Sequence, residues 1–114
     1  MKLHIPALPP SLNKTSRMHW RAQRRLNDNR RLWIRAYLPE YYLKPIVRMR
    51  CKITLHHSRP YDTDNAYGAV KPVVDALRAW QLIFDDTKEY LDLTVEQAKS
   101  NRKKPLTVIE LSPE

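Results

Sequence analysis

The stretch IVRMRCKITLHHS, residues 46–58, alternates between apolar and polar positions. Val47, Met49, Cys51, Ile53 and Leu55 fall on one side; Arg48, Arg50, Lys52, Thr54 and His56 fall on the other. A period of two over this length predicts a half-buried strand with a basic outer face. YLDLTVEQA (90–98) alternates in the same way, LTVIEL (106–111) reads as a final short strand, and KLHIPA (2–7) has strand character before it ends at proline. Two stretches have helical period instead. Residues 17–38 contain neither Gly nor Pro, with Ser16 as the predicted N-cap and Pro39 as the stop. Ala22, Leu26, Trp33 and Tyr37 gather near one face of that helix. Residues 65–80 form the second helix, with Val70, Val73, Val74 and Leu77 as its apolar stripe. Pro72 interrupts it and predicts a kink, or a start delayed to about Pro72. Turn residues fill 8–16, 81–90 and 101–105. The order β-α-β-α-β-β predicts an α/β chain of the mixed α+β kind, with helices packed on one small mixed sheet.

At 114 residues the expectation is a single domain spanning 1–114. Cys51 has no second cysteine to pair with, which fits a reducing compartment. The opening MKLHIPALPPS is broken by prolines, and no apolar run reaches membrane-spanning length. The chain therefore reads as soluble and cytoplasmic, without a membrane partner. Gly68 is the only glycine, so glycine-rich phosphate loops are excluded, and nucleoside-triphosphate and dinucleotide motifs with them.

Charge changes the picture. The formal net charge is +9, and it is unevenly spread. Residues 1–58 hold 13 Lys and Arg against 2 Asp and Glu; residues 59–114 hold 8 against 10. A basic field of this size favours a polyanion. Arg17, Arg21, Arg24, Arg31 and Arg35 recur along the first helix, where Asp28 is the only acid. With little intrahelical pairing to offset them, these arginines read as phosphate contacts rather than a solvated face. Lys14, Arg17 and Arg21 are the leading candidates. Of the three tryptophans, Trp33 and Trp80 fit apolar stripes, while Trp20, beside His19 and Arg21, is the one placed to stack on a base.

Against that basic background stands RPYDTDNAYGAVKPVVDAL, residues 59–77. Asp62 and Asp64 repel one another unless a cation lies between them. In a locally extended segment both side chains point the same way, and two such carboxylates suit Mg²⁺, which takes one or two of them and fills its octahedron with water and phosphate oxygens. A second acidic pair, Asp85 and Asp86, follows the apolar Leu82–Phe84 and is placed to reach the same site, although FDDTKE is also a good turn on its own. A calcium loop is excluded by spacing: its sixth and twelfth positions would be Tyr67 and Val73. His56 and His57, as strand neighbours, point to opposite faces, so at most one is available as a ligand.

The ordered set DTDN…K…DAL…FDD, with the amino-terminal PPSLNKTSRMHW, resembles the RusA-type Holliday junction resolvases, endodeoxyribonucleases frequent in phages and prophages. The matches span residues 8 to 90. The resemblance implies a RusA-like fold in a prokaryotic or phage-encoded chain. It implies a Mg²⁺-dependent nuclease, with Mn²⁺ as the alternative ion, acting as a homodimer on branched DNA such as the four-way junction. Asp62, Asp64 and Asp86 match the family's metal-binding acids, and Lys71 its catalytic lysine. Metal at those acids would lower the pKa of the attacking water and clamp the phosphate; Lys71 would offset the developing charge. Two departures stand out. The gap from Asn65 to Lys71 is longer than in the family's founding member by about one helical turn. Tyr61, not arginine, precedes the first Asp, which leaves Arg59 to serve as the local DNA contact. The alternative from another class is a non-catalytic DNA-binding protein that kept the fold. A third possibility, a nuclease for flaps or plain duplex, keeps the same site.

Overall fold

A computed structural model describes residues 1–10, 14, 17–40, 42, 44–99 and 105–114. Among these the elements follow the predicted order: β1 (Lys2–Ile5), α1 (Trp20–Ala36), β2 (Met49–His57), α2 (Thr63–Ala79), β3 (Leu91–Lys99) and β4 (Leu106–Pro113). The strands form one sheet in the order β1-β4-β2-β3. Strand β4 runs antiparallel to both β1 and β2, whereas β2 and β3 are parallel. Parallel neighbours need a long crossover; α2 is that crossover. The result is a mixed α+β fold with two helices packed on a mixed sheet.

Strand β2 buries Met49, Cys51, Ile53, Leu55 and His57, which continues the alternation read from the sequence. Val47 does not belong to it. The ladder to β3 begins at Met49↔Leu91, and Val47, beyond that rung, is 51% exposed. The outer face of β2 is basic as expected, but it is neutralised. Lys52 Nζ lies 3.2 Å from Glu96, Arg50 Nε lies 3.9 Å from Asp92, and Lys2 Nζ lies 3.6 Å from Glu110 across β1 and β4. Arg48 pairs with Glu114. The acids of the second half of the chain thus answer the β2 cations strand by strand.

Helix α1 begins at Trp20 rather than 17, capped by His19, whose Nδ1 accepts the Arg21 N–H at 3.2 Å. The expected cap, Ser16, lies outside the described residues, as do positions 101–104 of the predicted basic turn. The fully buried residue of α1 is Ile34, while Trp33 and Leu38 pack at the core's margin and Tyr37 stays exposed. The helix packs mainly on α2, and a helix with one main neighbour buries only a narrow stripe.

Helix α2 runs from Thr63 through Pro72 to Ala79, so neither a start at Asn65 nor one delayed to Pro72 holds. An internal proline costs about 3 kcal/mol. Val70, Val73, Val74 and Leu77 are buried on either side of it, each worth roughly 1.5–3 kcal/mol, and together they outweigh that cost. The helix ends in a Schellman motif. Gln81 takes φ 60°, its N–H bonds to the Arg78 carbonyl, and the Leu82 N–H bonds to the Leu77 carbonyl. Trp80 then braces the pair of helices: its indole N–H donates to the Arg31 carbonyl at 2.7 Å, and its own carbonyl accepts from the Tyr42 hydroxyl at 2.8 Å. No helix among the described residues is long and apolar enough to cross a membrane.

Candidate acidic site and basic helix

Asp62 is the N-cap of α2, with φ −57° and ψ 151°, and Asp64 lies in the first helical turn. The pair is therefore half extended and half helical. The strand-type alternation expected to align the two carboxylates is absent, because the helix starts between them. An N-cap aspartate normally turns its oxygen back onto the N2 or N3 amide, but Asp62 makes no such bond. Both side chains are exposed, and neither has an ion-pair or hydrogen-bond partner among the described residues. The positive end of the helix dipole favours negative charge here.

The segment that delivers Asp62 is held from β3. Gln97 accepts the Tyr61 N–H at 2.7 Å and donates to the Tyr61 carbonyl at 2.8 Å. The Tyr61 hydroxyl donates to the Pro9 carbonyl at 3.0 Å, and burial raises the pKa of its phenol. His57 is buried against this group, 3.0 Å from Gln97 Oε1 and edge-on to Tyr61. His57 is thus a structural residue, and His56 faces the other way, half-buried on the open face of the sheet.

Lys71, further along α2, and Asp86, in the turn that follows the helix, face a common cavity. It measures about 470 Å³ and is lined also by Arg48, Tyr67, Lys88 and Asp92. Lys71 Nζ is 3.8 Å from Asp75, one turn along the helix. Arg78 reaches Asp85 and Asp86 at 3.6 Å each. The Asp86 N–H, bonded to Asp85 Oδ1 at 2.8 Å, is the main cause that holds the Asp85 carboxyl below its ordinary value, and Arg78 adds to it. Asp62 and Asp64 do not line this cavity. Seven residues of helix separate Asp64 from Lys71, a rise of about 10 Å. Among the described residues, no group of three or more His, Cys, Asp or Glu side chains stands close enough to share a metal ion. Asp62 and Asp64 by themselves still fit Mg²⁺, which needs only one or two carboxylates.

Among the described residues the arginines of α1 take part in no ion pair, whereas the cations of β2 do. Arg17, Arg21, Arg24 and Arg59 are exposed, and none takes part in an ion pair among the described residues; Lys14 is exposed as well. Trp20 is 59% exposed with the Arg21 guanidinium 5.3 Å over its ring. Trp33 and Trp80 are half-buried, each covered by an arginine, Arg30 and Arg35. Arg30 is spent on this contact: its Nε is buried without a partner, and burial lowers its pKa.

Sequence reasoning missed Tyr67, Asp92, Lys88 and Gln97. Tyr67 was legible, since it stands four residues before Lys71 on the same helical face. The others come from strand and turn residues whose meeting with α2 depends on the crossover. Neither protein-family models nor curated proteins match this chain.

Proposed function

We propose that this chain is a RusA-type endodeoxyribonuclease, cutting branched DNA with a divalent metal and acting as a homodimer in recombination and repair. The observation that carries it is the contrast between two sets of unpaired charge. Asp62 and Asp64 stand exposed without a cation partner among the described residues, in a chain with a large cationic excess. Arg21, Arg24, Arg31 and Arg35 of α1 stand exposed, without an ion-pair partner among the described residues. A phosphodiester with Mg²⁺ or Mn²⁺ supplies both missing partners. The metal would supply a more acidic water and charge neutralisation at the phosphate. Asp62 and Asp64 would hold it, with Asp86 the third acid of the family pattern. Lys71 would offer its ammonium to phosphate charge, while Lys14, Arg17, Arg21, Arg24 and Arg59 would hold the backbone of the DNA. A four-way junction is two-fold symmetric, so paired incisions call for two copies of the site.

A second reading has its own observation. Asp86 lines a cavity with Lys71, which stands about two helical turns along α2 from Asp64, and neither Asp62 nor Asp64 lines it. A DNA-binding protein that kept the fold without the chemistry accounts for that separation. A labelled four-way junction and its linear arms, each with Mg²⁺ and with EDTA, decide between them. Symmetric nicks in the junction only, and only with metal, support the nuclease. A retarded junction that stays whole in Mg²⁺ and in Mn²⁺ supports the binding protein.

A further inference from the structure

Strand β3 holds the residue before Asp62 through the Gln97 side chain. Segment 58–62 is not a strand, yet the Gln97 side chain treats Tyr61 as one. Its amide bonds to both backbone groups of a single residue, 36 positions away, in the manner of a ladder rung. The orientation of that amide follows from its partners: the Tyr61 N–H needs an acceptor and the Tyr61 carbonyl needs a donor. Gln97 Oε1 therefore receives a second contact, from His57 Nε2 at 3.0 Å, and His57 must donate there. His57 is only 6% exposed, so this proton is held by geometry. The Tyr61 carbonyl belongs to the peptide plane that leads into Asp62. On the other side, the Asp62 carbonyl accepts the Ala66 N–H at 2.9 Å. The Asp62 backbone is thus tied before and after, and only its side-chain torsions remain.

We infer that Gln97, oriented by His57, is the positioning residue that aims the Asp62 carboxylate at the metal; this rests on the nuclease reading. Partners of this kind, one step removed from a ligand, typically change metal affinity by about 10–100-fold when mutated.

The test is Mn²⁺ binding to the full chain without DNA, read by the loss of the free-ion EPR signal, with thermal melting alongside. Gln97→Met keeps the length and removes both bonds to Tyr61; the expected loss of Mn²⁺ affinity is about 10–100-fold. Tyr42→Phe is the stability control, since it removes the bond to the Trp80 carbonyl at the opposite end of α2 from Asp62; it should lower the melting temperature and leave Mn²⁺ affinity unchanged. Gln97→Glu separates aim from charge. It adds a negative charge, which by itself strengthens cation binding, but it turns a carboxylate oxygen towards the Tyr61 carbonyl. Weaker binding supports the positioning role, and stronger binding overturns it. Affinity lost in Asp62→Asn but kept in Gln97→Met overturns the role of Gln97 alone. Affinity unchanged in both overturns the metal reading itself, and the role of Gln97 falls with it.

Discussion

The Arg78 guanidinium stands 3.6 Å from Asp86, the acid proposed above as the third metal ligand, and at the same distance from Asp85. An arginine and a divalent cation compete for the same oxygen. If Asp86 joins the metal, Arg78→Ala should lower the Mg²⁺ concentration for half-maximal junction cleavage. The exposed pair limits the gain to about five-fold. A metal titration of cleavage rate reads it. An unchanged midpoint would assign Asp86 to Arg78 alone and leave the metal to Asp62 and Asp64.

The α1 arginines make a separate claim about binding. Each phosphate contact adds about one to the slope of log affinity against log salt. Arg21→Ala and Arg24→Ala should each weaken junction binding in EDTA and flatten that slope by about one. Arg50→Ala, whose guanidinium is already shared with Asp92 and Glu114, should leave the slope where it was. Fluorescence anisotropy over a salt series distinguishes the two groups.

Gln81 holds a left-handed backbone that favours glycine. Its side chain is exposed, so Gln81→Gly removes the strain without opening a cavity. The expected gain is about 1 kcal/mol in urea unfolding. A loss instead would show that the greater freedom of the unfolded glycine chain outweighs the strain.

Cys51 is fully buried in β2, and burial pushes its thiol up to about 12 from 9.0. A raised acid pKa contributes stability below the unfolded value, and that contribution is lost as pH rises towards the folded one. Stability should therefore fall between pH 9 and 12 through this thiol. At pH 8 a thiol reagent should leave the native chain unmodified and label it only as urea unfolds it. Rapid labelling without denaturant would contradict the buried placement.

Much of this architecture is written in local patterns. The alternation of Met49, Cys51, Ile53 and Leu55 can be satisfied only by a strand with one face covered, and β2 is that strand. The valine stripe of α2 survives Pro72 because burial outweighs one missing backbone bond. The order of elements followed from these periods. Their boundaries did not: α1 and α2 start where His19 and Asp62 happen to sit as caps, and cap geometry is decided by the turn before each helix.

The acids, the arginine stripe and the lysine were legible as residue types, since charge imbalance and spacing are properties of the chain itself. Their grouping was not. About two turns of helix carry Lys71 away from Asp64, and the parallel β2–α2–β3 crossover leaves Asp86 lining a cavity with Lys71 and not with Asp62. Arg50 and Lys52 looked as available to a polyanion as Arg21 and Arg24 until β3 and β4 set acids beside them. Gln97 carried no signal at all, because a neutral amide in a strand becomes a clasp only when a loop 36 residues away is folded against it. Periodicity and charge are local and survive in one dimension; which charges neutralise each other, and which backbone a side chain holds, is settled by through-space distances that only the packed sheet and helices create.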